Sequence, residues 1–194
     1  PGRPVMNLML SLQPKSWAHC EQIVVAVGDA LGAYFATAMP PDSSLLLHEF
    51  ASWKAGHVER ELNAVSIPGS CAYHEAVIGR AEILQARLDA SGLHLPDHSK
   101  MNLLRYREPD HPAQPEDLAW LNYWSKETCA YLGGPNLNRD ADLLAYSYQT
   151  SDGAWLLKLT EDPLDLNRPD HLAALVHTYE RFPKMGLCMV GQRS

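Results

Sequence analysis

The sequence predicts an α+β domain: a mainly antiparallel sheet with helices packed on it, ending in a β-hairpin followed by a C-terminal helix. Three observations predict it. Leu144, Tyr146 and Tyr148 alternate with Ala145, Ser147 and Gln149, and after Ser151-Asp152-Gly153 the alternation resumes with Trp155, Leu157 and Leu159. A period of two on both sides of an Asp-Gly turn is the pattern of two antiparallel strands. Next, Pro169 and Asp170 suit a helix start, where a missing N–H costs nothing and a negative charge meets the positive end of the dipole. Leu172, Leu175, Val176, Tyr179 and Phe182 then form one apolar stripe at helical spacing, which Pro183 ends. Finally, strand and helix patterns are mixed along the chain, as α+β folds require.

The elements follow in order. Asn7 to Leu12 reads as a strand that Pro14 breaks. Ser16 is an N-cap candidate for a helix from Trp17 to about Ala38, with Cys20, Ile23, Val24, Val27, Leu31 and Tyr34 inward. Gly28 and Gly32, one turn apart, would let another element approach closely. Pro40-Pro41-Asp42 turns the chain, and the apolar run Leu45 to Phe50 reads as a strand; Ser52 to Val65 is ambiguous. After the Pro68-Gly69 turn, Ser70 opens a helix to about Ser91, with Val77, Ala81, Leu84 and Leu88 inward and Gly92 as its stop. Met101 to Arg107 reads as a strand and Glu108 to Pro115 as a Pro-rich connection. Glu116 and Asp117 open a helix through Leu118, Leu121, Trp124 and Leu132, which Gly133-Gly134-Pro135 ends. In the hairpin, Gly153 supplies a positive φ, and Trp155 is expected to pack across from Tyr148 or Tyr146.

With 194 residues, 46% of them hydrophobic, the chain is long enough for a single domain with a full core. The option that residues 1–5 are an appended remnant stays open. The formal charge of −7 repels phosphate, so a nucleic-acid partner is not expected; the same field favours a basic partner. The longest apolar run, Ile23 to Met39, is interrupted by Gly28, Asp29 and Gly32, so no membrane partner is expected. No signal peptide is visible. Cys20, Cys71, Cys129 and Cys188 are far apart and form no Cys-x-x-Cys pair. Reduced thiols in a cytoplasmic protein are the expectation.

No motif for a cofactor, metal or catalytic nucleophile emerges, so none is assigned. There is no Gly-x-Gly-x-x-Gly, no phosphate loop and no Gly-x-Ser-x-Gly. His48-Glu49 lacks the second histidine of a zincin. His94 and His98 are separated by Pro96. Ser70-Cys71 with His74 reads more simply as a helix start than as a nucleophile and base. A hydrolase or transferase built on His48, Glu49 and Asp117 remains the competing reading.

Two acidic stretches stand out. Glu108 to Ser125 carries Glu108, Asp110, Glu116 and Asp117, Glu161 to Leu166 carries Glu161, Asp162 and Asp165, and no Lys or Arg lies within either. Their ordinary meaning is solvated loops. If they face a basic partner, Trp120 and Tyr123 are the expected exposed anchors beside them. The partner-binding set is therefore Asp110, Glu116, Asp117, Trp120, Glu161, Asp162 and Asp165.

The stretch from Leu118 to Gly186 carries a resemblance. Leu118-Ala119-Trp120-Leu121-Asn122-Tyr123-Trp124-Ser125, Asn138-Arg139-Asp140-Ala141-Asp142-Leu143-Leu144, Gly153-Ala154-Trp155, Leu159-Thr160, Pro163-Leu164-Asp165-Leu166, Pro169-Asp170-His171-Leu172 and Tyr179 to Gly186 resemble the immunity protein 52 class found beside bacterial polymorphic toxins. Met185, usually aliphatic there, and Gly134, often Phe there, depart from it. The resemblance implies an immunity partner of a type VI secretion effector with a restriction-endonuclease-like toxin domain, acting by stoichiometric binding. It implies no catalytic residue and no cofactor. An adaptor or chaperone that loads an effector is the third alternative.

Overall fold

In the computed structural model, residues 14–56, 70–96, 115 and 117–185 are described. A 3-10 turn, Pro14–His19, leads into α1 (Cys20–Leu31), β1 (Phe35–Ala38), α2 (Pro41–Lys54) and α3 (Ser70–Ser91). Then come β2 (Leu121–Trp124), α4 (Lys126–Leu132), the single turn α5 (Ala141–Leu144), β3 (Tyr148–Gln149), β4 (Trp155–Lys158) and α6 (Pro169–Arg181). The strands form one antiparallel sheet in the order β1-β2-β4-β3, so the fold class is α+β as expected. The hairpin β3–β4 and the C-terminal helix that follows it are where the alternation and the apolar stripe put them.

Strand register sets the two faces. Ala36, Tyr123, Leu156 and Tyr148 lie side by side across the sheet. α1 covers this face. A Cβ added at Gly28 would stand 2.9 Å from the Tyr123 ring, so only glycine allows this approach. The Tyr123 hydroxyl donates to Asp29 Oδ1 at 2.7 Å, and Lys158 Nζ to Glu21 Oε1 at 2.7 Å. On the opposite face the Trp124 ring meets Phe182 at 4.8 Å and 87°, the T-shaped arrangement that ring quadrupoles favour.

α6 buries Leu172, Leu175, Val176 and Tyr179, as its stripe predicts. α3 turns Val77, Ala81, Leu84 and Leu88 inward, all at most 3% exposed. Gly92 (φ 63) ends it, with Leu93 N donating back to Leu88 O. α2 is tied to the segment before α6 by Ser43 Oγ donating to Leu164 O at 2.6 Å. It is tied to α3 by Arg80, whose guanidinium holds the buried Glu49, Nε to Oε2 at 2.7 Å.

Several expectations are corrected. The helix expected to reach Ala38 stops at Leu31. Gly32 adopts φ 55 and Ala33 N bonds back to Gly28 O; the chain then pairs with β2 as a strand. Leu31, expected inward, is exposed. Leu45 to Phe50 is not a strand but the middle of α2, with Pro41 in the first turn and Ser43, Glu49 and Phe50 buried. A short apolar run carries no period that separates the two states.

The helix expected from Glu116 through Leu132 is instead β2 followed by α4. All four β2 residues are buried, so no polar-apolar alternation survives to mark the strand. Ser125, not Glu116 or Asp117, caps the helix, accepting from Thr128 N at 3.2 Å. The first hairpin arm is shorter than expected, because Ala141 to Leu144 forms α5. Trp155 sits opposite Gln149, and Tyr148 opposite Leu156, so the aromatic pair across the hairpin does not form. Gly153 has the expected positive φ of 80°. The strands expected at Asn7 to Leu12 and Met101 to Arg107, the Pro68-Gly69 turn, and all of Glu108 to Pro115 except buried Pro115 lie outside the described residues.

Two substitutions test this packing. Gly28→Ala forces the Tyr123 ring or α1 to move and is expected to lower stability in urea unfolding by about 1–3 kcal/mol. Arg80→Met leaves the Glu49 carboxylate unpaired in the core and lowers the melting temperature. The double variant Glu49→Leu with Arg80→Met is expected to recover most of that loss, because the pair is replaced together.

Candidate functional site

A cleft of about 280 Å³ opens between α5 with its following residues, the chain leaving β4, and the outer face of α6. Its floor is held from inside. The Trp120 indole N–H donates to Thr160 O at 3.0 Å, and Thr160 Oγ1 donates to Asp162 O at 2.7 Å. Beyond it Asp165 Oδ1 accepts from both Asn167 N (2.9 Å) and Asn167 Nδ2 (2.8 Å), which shapes the turn into α6.

His171 stands in the first turns of α6 and is 4% exposed. Its Nδ1 accepts the Asp165 backbone N–H at 3.1 Å. A neutral imidazole with Nδ1 used as acceptor carries its proton on Nε2. Burial, reinforced by the Arg168 charge, pulls the His171 pKa below its ordinary 6.5. At neutral pH the ring therefore offers a donor and has no free lone pair for a general base.

The rim is charged. Arg168 bonds Asp170 (Nη2 to Oδ2, 2.6 Å) and lies 3.6 Å from Asp162. The Arg168 hydrogen bond holds the Asp170 carboxyl down at about 2. Arg181 bonds Asp142 at 2.7 Å and holds its pKa low in the same way. Arg181 also approaches Asp140 at 3.7 Å. Asp140 is fully buried; Arg139 grips both its oxygens (2.7 and 2.9 Å) and Asn136 N donates to it at 2.8 Å. Glu161 is exposed and also lines the cleft.

Of the residues expected to meet a partner, the structure brings Glu161 and Asp162 together on this rim. Asp165 sits behind them, half-buried and linked through its N–H to His171. Asp117 is exposed elsewhere, hydrogen-bonded to the Tyr179 hydroxyl. Asp110 and Glu116 lie outside the described residues. The expectation that Trp120 and Tyr123 are exposed anchors is corrected: they are 5% and 4% exposed. Both are amphipathic rings whose polar ends find partners inside the protein, Thr160 O and Asp29.

Asp142, Arg168, Asp170, His171 and Arg181 were missed in the sequence. For His171 and Arg181 a signal was present as a second stripe on α6, at positions 171, 174, 178 and 181, beside the apolar one; Asp142, Arg168 and Asp170 share no such spacing. The residues of the competing hydrolase reading are not gathered in the cleft: Glu49 is buried and held by Arg80, His48 is exposed on α2, and Asp117 meets Tyr179. Among the described residues no group of three or more His, Cys, Asp or Glu is arranged to hold a metal ion. No helix among them is long and apolar enough to cross a membrane. Of the cysteines, Cys20 is buried and Cys129 half-buried, both as free thiols; burial pushes Cys129 up to about 11.

The tautomer is directly testable. Long-range ¹H–¹⁵N spectra are expected to show His171 neutral with its proton on Nε2 at pH 7, and titrating below 6.5. A proton on Nδ1 would contradict the Asp165 hydrogen bond. In the window below 6.5 the unfolded chain binds the extra proton, so this ring's contribution to stability falls as pH falls.

No curated protein and no solved structure matches the chain. The family described as "Domain of unknown function (DUF5953)" matches residues 64–189, which span α3, the strands β2 to β4, the cleft and α6. That is more than half of the sequence, and the chain belongs to the DUF5953 family.

Proposed function

We propose that this chain is a cytoplasmic immunity protein that binds one cognate bacterial toxin, a nuclease-type type VI secretion effector, and neutralises it by stoichiometric association. The observation that carries this reading is the charged cleft, where exposed carboxylates outnumber the guanidinium groups, on a protein of net charge −7. The resemblance of Leu118 to Gly186 to the immunity protein 52 class supports it.

The physical logic is charge complementarity. A nuclease needs a basic groove to hold phosphate. An acidic surface fits such a groove, raises the capture rate and excludes the nucleic acid. Binding of this kind needs a rigid, preorganised surface rather than a catalytic group. The hydrogen bond that Trp120 donates to Thr160 O and the one that His171 Nδ1 accepts from Asp165 N supply that rigidity here.

Co-expression with the toxin encoded beside this chain is expected to restore growth, and the purified proteins to form a stable one-to-one complex. The association rate should fall roughly tenfold or more from low to high salt. A complex without rescue would mark an effector adaptor instead. Neither complex nor rescue would end the immunity reading.

A further inference from the structure

We propose that the cleft between α5 and α6 seats a basic side chain presented by a loop of the partner protein, with His171 Nε2–H donating to a backbone carbonyl next to it. This deepens the immunity reading and rests on it for the partner's identity.

The charge balance selects the sign of the occupant. Asp142, Glu161, Asp162 and Asp170 face the cleft against only Arg168 and Arg181, leaving two negative charges in excess around a neutral imidazole. Both guanidinium groups already bond carboxylates, so an anion would have to displace one. A cation meets no such competition. Glu161 is exposed, and Asp162 is only loosely engaged, 3.6 Å from Arg168.

His171 selects what lies beside the charge. Its ring is nearly buried and lines the cleft; Nδ1 is spent on Asp165 N, and among the described residues nothing accepts from Nε2. Nε2 is not sealed in the core but opens to the cleft, where it can donate to an acceptor that the occupant brings. A peptide carbonyl is the acceptor that accompanies every basic side chain on a protein loop.

Size agrees. At about 280 Å³ the cleft has room for one side chain with its peptide group.

The test uses the full chain and two probes, N-acetyl-arginine methylamide and N-acetyl-glutamate methylamide, followed by histidine-ring and backbone ¹H–¹⁵N shifts. The arginine probe is expected to shift His171 Nε2–H saturably, and the glutamate probe to leave it in place. Glu161→Gln with Asp162→Asn should weaken the arginine probe roughly fivefold, with unchanged circular dichroism. Equal responses to both probes, or no response at His171, would overturn the proposal. The same double variant separates the two readings in complex with the toxin. If the wild-type complex forms and the variant binds equally well, the cleft is not the seat while the immunity reading stands. If the arginine probe binds but no toxin complex forms, the immunity reading fails while the basic-side-chain site stands.

Discussion

The burial of β2 is the constraint on which the rest of the structure depends. Leu121 to Trp124 is paired along both edges, to β1 and to β4, and covered on both faces. Each of its residues serves a different neighbour. Tyr123 receives α1 across Gly28; Trp124 meets Phe182 at the end of α6; Asn122, fully buried, bonds both Ala119 N and Ala119 O. That last pair holds the bend that carries the chain from Trp120 into the strand. The packing has a cost, since among the described residues the Trp124 indole N–H has no hydrogen-bond partner. An unmet buried donor costs about 1–3 kcal/mol, and the T-shaped contact with Phe182 returns about 0.5–1.5 kcal/mol. Burying so large a ring supplies the balance.

The cleft inherits its rigidity from this strand. Trp120, just before β2, reaches across to Thr160, just after β4, and so fixes the loop that bears Glu161 and Asp162. On the other side, buried Asp140 gathers Arg139, Arg181 and Asn136 N. Taking a carboxylate out of water is costly unless its partners are close and well aligned, and here Arg139 meets it at both oxygens. Arg181 is shared between this buried anchor and exposed Asp142. One residue thus links the interior to the rim, so that α5 and α6 hold a common surface despite lying far apart in the chain.

Much of the site was legible in part. Glu161 and Asp162 stood out as a run with no basic residue inside it. The structure shows why that was an incomplete reading: Arg168 and Arg181 come from α6 to meet this rim and its neighbours. Trp120 was misread for a physical reason. An aromatic beside acidic residues looks the same in sequence whether its ring faces solvent or the core, and only Thr160 O, forty positions away, decides it. His171 gave no sign of burial, because its partner is a backbone N–H whose position depends on how the turn from Asp165 to Arg168 closes.

The sequence by itself determined the elements whose period or punctuation is local. These are α3 and α6 with their inward faces, the glycine turns at Gly92, Gly133 and Gly153, and the hairpin around Asp152. Their determinants lie within a few residues, where φ preferences, caps and side-chain spacing act. Tertiary structure alone decided that Phe35 to Ala38 and Leu121 to Trp124 are strands and that Leu45 to Phe50 is helix. It also decided that six charged groups converge with His171 on one cleft. A strand buried on both faces carries no alternation, and a site built from segments distant in sequence has no spacing to read; both come into being only when the sheet closes.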